Sequence, residues 1–194
     1  MAKFITLGKY TAKGLGGFVS NPSTDRKAAT SALAASVGAK VTRYAGLRGK
    51  YDFMAEIEAA LTEIATYTTN GMPAIILGAP RRQDRVLYNA LFVLDEGRIC
   101  HHYDKINLPN YGVFDDKRNF EAGRGTGPIS VRGWRLGLAI CEDIWTSDIC
   151  ETLQEAGAQL LISLNASPFE IGKQDKRMAT AIARMSETNL PMIY

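Results

Sequence analysis

The sequence has few cysteines and no long hydrophobic run. Its three cysteines, Cys100, Cys141 and Cys150, are an odd number without the paired spacing of a metal site. We therefore expect neither a disulfide scaffold nor a metal centre. No apolar segment approaches the ~18 residues that a membrane span needs, and the first residues lack the apolar stretch of a secretory signal. These absences predict a cytoplasmic protein without a membrane partner.

An excess of charge of one sign is also absent. The chain has 23 lysines and arginines against 20 acidic residues, which gives a formal net charge of +3. The two signs are interspersed, so no basic block favours binding to nucleic acid. With 194 residues, 46% hydrophobic and 22% charged, the composition is that of an ordinary globular protein.

The first 58 residues have the pattern of a small α+β unit. Residues 3–8 predict a strand, and residues 21–38 predict a helix that ends at a glycine. Residues 39–59 predict two strands around a turn that contains glycine. The second of these strands, YDFMAEI, ends next to Glu56 and Glu58.

From residue 59 onward, strands and helices alternate, which favours a layered α/β architecture. A hairpin is predicted over 86–103, and helices are predicted to begin near Glu58, Ser147 and Asp175. The last helix has an apolar repeat that predicts its buried face: Met178, Ala181, Ile182 and Met185. Four apolar runs are expected to share one sheet that is covered on both faces: 74–77, 87–94, 135–140 and 159–164.

Cys141 directly follows the apolar run RLGLAI and precedes a turn into a helix. A residue at such a strand end lies at the edge of the sheet, where α/β proteins build their sites. A thiol there can act as a nucleophile, because a helix N-terminus or a nearby cation stabilises the thiolate. The alternative is that Cys141 is a small buried hydrophobic residue.

A long polar segment, HHYDKINLPNYGVFDDKRNF at 101–120, holds Lys105 at the end of a strand and Tyr111 in the following loop. Together with GLAICEDIW at 137–145 and NASPF at 165–169, it closely resembles the nitrilase superfamily. Within that superfamily it resembles the glutamine-hydrolysing domain of glutamine-dependent NAD synthetase. The resemblance covers about residues 59–194 and implies part of an α-β-β-α sandwich.

The resemblance also implies roles for individual residues. Cys141 would attack the amide carbon of glutamine, and Lys105 would stabilise the tetrahedral intermediate. Further side chains would contact the substrate: Tyr111, Glu142, Trp145 and Ser167. Their structural alternatives are packing for the two aromatic residues, charge at a helix start for the acid, and turn capping for the serine.

The general base of the family is a glutamate in an upstream strand-end segment, and nothing before Ala59 matches that segment. Glu56 and Glu58 occupy roughly its place in chain order and are possible replacement bases. The alternative is that these acids are solvated or cap the helix. We therefore expect that catalysis is impaired.

Two further acids, Asp115 and Asp116, lie in the same loop as Lys105. Either could supply an auxiliary carboxylate near the amine. The alternative is a surface ion pair with Lys117 or Arg118.

Residues 1–58 resemble the GYD domain, a ferredoxin-like α+β module whose motif stands here as Gly49-Lys50-Tyr51-Asp52. The predicted organisation is therefore a partial ferredoxin-like unit over 1–58 followed by a truncated nitrilase-like portion over 59–194.

Partners and cofactors follow from the nitrilase resemblance. The expected partners are glutamine or a similar small amide, a synthetase domain or subunit, and a second copy of the chain. No cofactor is expected, because ATP and the NAD precursor would be bound by a synthetase domain that this sequence lacks. The alternative function is an inactive module that serves in binding or oligomerisation.

Overall fold

The computed structural model describes residues 50–112, 114–125, 127–166 and 171–194. The predicted elements before residue 50, and Ser167, lie outside these residues. Residues Lys50–Tyr194 form one compact unit. Its helices are α1 (Lys50–Ala65), α2 (Asp148–Glu155) and α3 (Lys173–Thr188), with short 3-10 turns at Thr66–Thr68, Asp116–Arg118 and Cys141–Ile144. Its strands are β1 (Ile75–Gln83), β2 (Val86–Asp95), β3 (Arg98–Asp104), β4 (Ile129–Val131), β5 (Trp134–Ile140), β6 (Leu160–Leu164) and β7 (Met192–Ile193).

The strands form two sheets, so the prediction of one shared sheet is wrong. The first sheet is an antiparallel meander in the order β1-β2-β3, and the second has the order β4-β5-β6-β7. In the second sheet β4 is antiparallel to β5, whereas β5, β6 and β7 are parallel. The predicted hairpin of β2 and β3 is confirmed, and Glu96 and Gly97 in its turn both have positive φ.

Four layers result, and this α-β-β-α sandwich agrees with the predicted fold class. The core between the sheets is formed by side chains of both: Leu91, Val93, Tyr103, Val131, Leu136, Leu138, Ile140, Cys141 and Ile162. Helix α1 covers the outer face of the first sheet, and α2 covers that of the second. Strands are thus apolar on both faces because one face meets the other sheet and one meets a helix.

Residues 51–57 were expected to form a strand, but they lie in helix α1. The reason is visible in the buried side chains of α1, Met54, Ile57, Leu61 and Ala65, which recur at helical spacing. The helix also runs through the predicted domain boundary between residues 58 and 59. The division into two modules stays a prediction.

Helix α3 buries only one of the four residues that its apolar repeat predicts, Ala181. Its buried side chains are Ala181, Arg184 and Thr188, whereas Met178, Ile182 and Met185 are exposed. Helix α2 buries Ile149, Cys150 and Leu153. None of the helices in the described part of the chain is long and apolar enough to cross a membrane.

Candidate active site

Cys141 directly follows β5, as predicted, and opens the 3-10 turn Cys141–Ile144. Its φ of +48° lies in the left-handed region, which costs a non-glycine residue about 1–3 kcal/mol. The residue is only 8% exposed. Strain of this kind persists where the surrounding structure holds the backbone in place, and it is frequent at active sites.

Lys105 follows β3, so it comes from the other sheet, and it is only 4% exposed. Its Nζ donates to Oδ2 of Asp116 at 2.7 Å. The backbone on both sides is fixed, because the Lys105 N–H donates to the carbonyl of Asn89 and its own carbonyl accepts from Gly123. Of the two predicted roles for Asp116, an auxiliary carboxylate near Lys105 or a surface ion pair, the structure shows the first.

Asp115 makes the surface ion pair that was the alternative for both acids. Its carboxylate lies 2.6 Å from the guanidinium of Arg118, and both side chains are exposed. An exposed pair of this kind contributes little to stability.

Asp143 is fully buried and joins the segments that carry Cys141 and Lys105. Its carboxylate accepts from the backbone N–H groups of Ile140, Ile106 and Asn107 and from the hydroxyl of Tyr103. Burial raises the pKa of Asp143 above its usual value, although these hydrogen bonds and the charge of Lys105 act in the opposite direction. Asp143 was not predicted as a site residue; the available signal is an acid directly before the apolar pair Ile144 and Trp145.

Tyr111 and Glu142, two predicted substrate contacts, meet in the structure. The Tyr111 hydroxyl donates to Oε1 of Glu142 at 2.7 Å. This hydrogen bond to a carboxylate raises the pKa of Tyr111 to about 12. The Tyr111 side chain is 56% exposed, so the pair lies at the surface, and its ring contacts Phe114 edge to face.

A cavity of about 690 Å³ lies beside this pair. Its walls are residues 106–111, residues 120–122, Lys117, Glu142 and Thr146. The cavity is large enough for a ligand of the size of an amino acid. Its lining carries Lys117 and the two acids Glu121 and Glu142, so it offers charges of both signs to a zwitterion.

The other predicted site residues lie elsewhere. Trp145 packs against the apolar cluster between the second sheet and α2, which agrees with its structural alternative. Glu56 and Glu58 lie on α1, and the first sheet separates that helix from the core that contains Cys141. A substrate contact for Trp145 and a role as base for either glutamate stay predictions. Among the described residues, no group of three or more potential ligands is placed to hold a metal ion.

The comparisons with known proteins show the family of this chain. The model of the Carbon-nitrogen hydrolase family matches residues 31–194. The glutamine-dependent NAD(+) synthetase of Xanthomonas campestris pv. campestris (strain 8004) is 40% identical over 144 residues, which are 73% of this chain and 26% of that protein. The part of this chain that matches therefore spans about a quarter of such curated relatives.

Solved structures support the same fold. The glutamine-dependent NAD+ synthetase of Acinetobacter baumannii superimposes with a TM-score of 0.67 at 28% identity, over 72% of this chain and 26% of that one. An amidase of the nitrilase superfamily from Nesterenkonia AN1 superimposes with a TM-score of 0.63 at 19% identity, over 72% of this chain and 52% of that one. The family match begins at residue 31, so it includes part of the segment that resembles the GYD domain. The GYD resemblance itself stays a prediction.

Proposed function

Because this chain belongs to the carbon-nitrogen hydrolase family, we propose that it hydrolyses the side-chain amide of glutamine or of a similar small amide. The observation that carries the proposal is the position of Cys141, held in a left-handed turn next to Glu142, which lines the cavity. The similarity to glutamine-dependent NAD(+) synthetases supports glutamine as the substrate.

The reaction follows from the groups at the site. The thiolate of Cys141 attacks the amide carbon, and the developing oxyanion is stabilised by the ammonium group of Lys105. The C–N bond then breaks, the leaving nitrogen takes up a proton, and a thioester remains on Cys141. Water hydrolyses the thioester, releasing glutamate and restoring the thiol. Asp116 holds the Lys105 amine in place through its ion pair.

We propose that turnover is slow, because the proton transfers need a general base and the segment that holds the family's glutamate has no counterpart recognised before Ala59. Removing a general acid or base typically lowers a rate by about 10²–10⁴-fold. Glu56 and Glu58 lie on α1, on the outer side of the first sheet, and this position does not favour either of them as the replacement.

The test is to incubate the purified chain with glutamine and to measure ammonia and glutamate together. Cys141→Ala is the blank, and Cys100→Ala is the matched control, since Cys100 lies on β3 in the first sheet. Slow release of both products that depends on Cys141 is expected. Release that persists in Cys141→Ala would overturn the proposal. Release that is fast and is abolished by Glu56→Gln or Glu58→Gln would overturn the proposed impairment.

A second function, a binding or oligomerisation module, is favoured by one observation. Met178, Ile182 and Met185 form an exposed apolar stripe along α3, and such stripes commonly mark contact surfaces. We propose a second copy of the chain, or a synthetase domain that consumes the ammonia, as the partner. Light scattering tests the first case: a dimer that Ile182→Lys dissociates is expected, and a monomer at high concentration would contradict it.

A further inference from the structure

We propose that Asp143 is a positioning residue that sets the geometry between Cys141 and Lys105 and thereby the reactivity of the Cys141 thiol. The inference rests on the proposed function, because it assigns Cys141 as the nucleophile. The inference goes beyond the proposed function, because it names a side chain that lines no part of the described cavity and acts through its neighbours.

One oxygen of the Asp143 carboxylate fixes the turn at Cys141. Oδ2 accepts from the backbone N–H of Ile140 at 2.9 Å and from the hydroxyl of Tyr103 at 2.9 Å. Ile140 is the residue immediately before Cys141, so this bond closes the turn in which Cys141 has positive φ. It therefore holds the strained backbone of the nucleophile.

The other oxygen fixes the segment that follows Lys105. Oδ1 accepts from the N–H of Asn107 at 2.7 Å and from the N–H of Ile106 at 3.2 Å. These are the two residues immediately after Lys105. A single carboxylate thus connects the strand end of the second sheet to the loop that leaves the first.

A carboxylate is needed for this arrangement because all four partners donate. Asparagine has the same shape, but it offers one acceptor oxygen and turns an NH₂ group toward the remaining donors. Because Asp143 has no exposed surface, water cannot replace a lost partner, and a buried donor left unpaired is costly. Asp143→Asn is therefore expected to release either the Cys141 turn or the Lys105 segment.

The positions of the four donors argue against a purely structural role. Two of them flank Lys105 or Cys141 directly, at Ile106 and Ile140, and the third backbone donor is Asn107. Asp143 also lies close enough to Lys105 for the charge of the amine to act on its carboxyl. A side chain that only stabilised the fold would not need to direct its hydrogen bonds to these segments.

The experiment measures how fast iodoacetamide alkylates Cys141 in the native protein, with peptide mass spectrometry separating Cys141 from Cys100 and Cys150. Asp143→Asn is expected to lower the rate constant at Cys141 by about fivefold, the factor that corresponds to a typical hydrogen bond. Ile57→Ala is the matched control: it removes packing between α1 and the first sheet, lowers stability, and should leave the rate unchanged. Equal rates in Asp143→Asn and Ile57→Ala would overturn the proposal.

If Asp143→Asn does not fold, Tyr103→Phe keeps the test valid. It removes one donor to Oδ2 and leaves the carboxylate and both loop bonds, so a smaller fall in the Cys141 rate, of about threefold, is expected. No change in Tyr103→Phe would then contradict the proposal. Because thiol reactivity is read without glutamine, a protein that releases no ammonia but shows these rate changes would refute the proposed function alone.

Discussion

Substituting Gly123 by alanine tests how tightly the loop that leaves Lys105 is held. The Gly123 N–H donates to the carbonyl of Lys105 at 2.8 Å. A Cβ atom at this position would lie 2.1 Å from the carbonyl oxygen of Asp104 and 2.9 Å from its carbonyl carbon. Both atoms belong to the backbone, so no side-chain rotation can relieve the contact, and the chain at residues 104–105 must move.

The magnitude follows from two effects. Forcing an extra methyl group into a packed site typically costs about 1–3 kcal/mol. Losing the hydrogen bond between Gly123 and Lys105 would add about 0.5–1.5 kcal/mol. We therefore expect Gly123→Ala to lower the free energy of unfolding by about 2–4 kcal/mol and to slow alkylation of Cys141, because Lys105 is displaced.

Urea unfolding measures the stability, and Gly127→Ala is the matched control. Gly127 lies in the same loop, lacks a positive φ, and a Cβ added there would meet no atom within 4 Å. The control should change the free energy of unfolding by less than about 0.5 kcal/mol. If Gly123→Ala is as stable as Gly127→Ala, the loop is not packed against the end of β3 and the reasoning is refuted.

Three further predictions concern charge and packing. Glu142→Gln should lower the pKa of Tyr111 from about 12, because it removes the carboxylate that disfavours the phenolate. An ultraviolet titration referenced to Tyr111→Phe measures this pKa. An unchanged titration midpoint would contradict the prediction. The hydrogen bond from Arg132 holds the pKa of Asp95 below its usual value, so its contribution to stability is present above about pH 4 and is lost as the pH falls further. Arg132→Gln should therefore reduce the fall in the free energy of unfolding at acid pH, measured by urea unfolding. An equal fall in the two proteins would contradict a stabilising ion pair. Leu91 has no exposed surface between the sheets, so Leu91→Ala should lower the free energy of unfolding by about 2–5 kcal/mol. Thermal unfolding measures this change. A loss below about 1 kcal/mol would mean that neighbouring side chains fill the cavity.

The places of Cys141 and Lys105 could be predicted from the sequence because each follows its strand directly. An apolar run that stops at a thiol or a lysine is a local signal, and both residues are found just past β5 and β3. The family resemblance implied that Tyr111 and Glu142 each contact the substrate, but their direct hydrogen bond joins residues 31 positions apart and is seen only in the fold. Asp143 was missed because its donors lie between 3 and 40 residues away and only folding brings them together.

The number of sheets could not be predicted from hydrophobicity alone. A strand that is apolar on both faces fits a single sheet between two helical layers, and it fits equally well a sheet between a helix and a second sheet. The same limit applies to α3, where only Ala181 of the predicted apolar face is buried and the buried side extends instead to Arg184 and Thr188. Periodicity indicates that a helix has an apolar face and leaves open what that face contacts.

The site is assembled from both sheets, and this couples its chemistry to the packing between them. Lys105 leaves the first sheet after β3, and Cys141 leaves the second after β5. The apolar core that joins the sheets includes Cys141 itself, and Tyr103 in that core donates to Asp143. A substitution that loosens this core is therefore expected to move Cys141 relative to Lys105 before the protein unfolds. Thiol reactivity should respond to cavities between the sheets and remain insensitive to cavities of equal size beneath α1, because α1 packs on the opposite face of the first sheet.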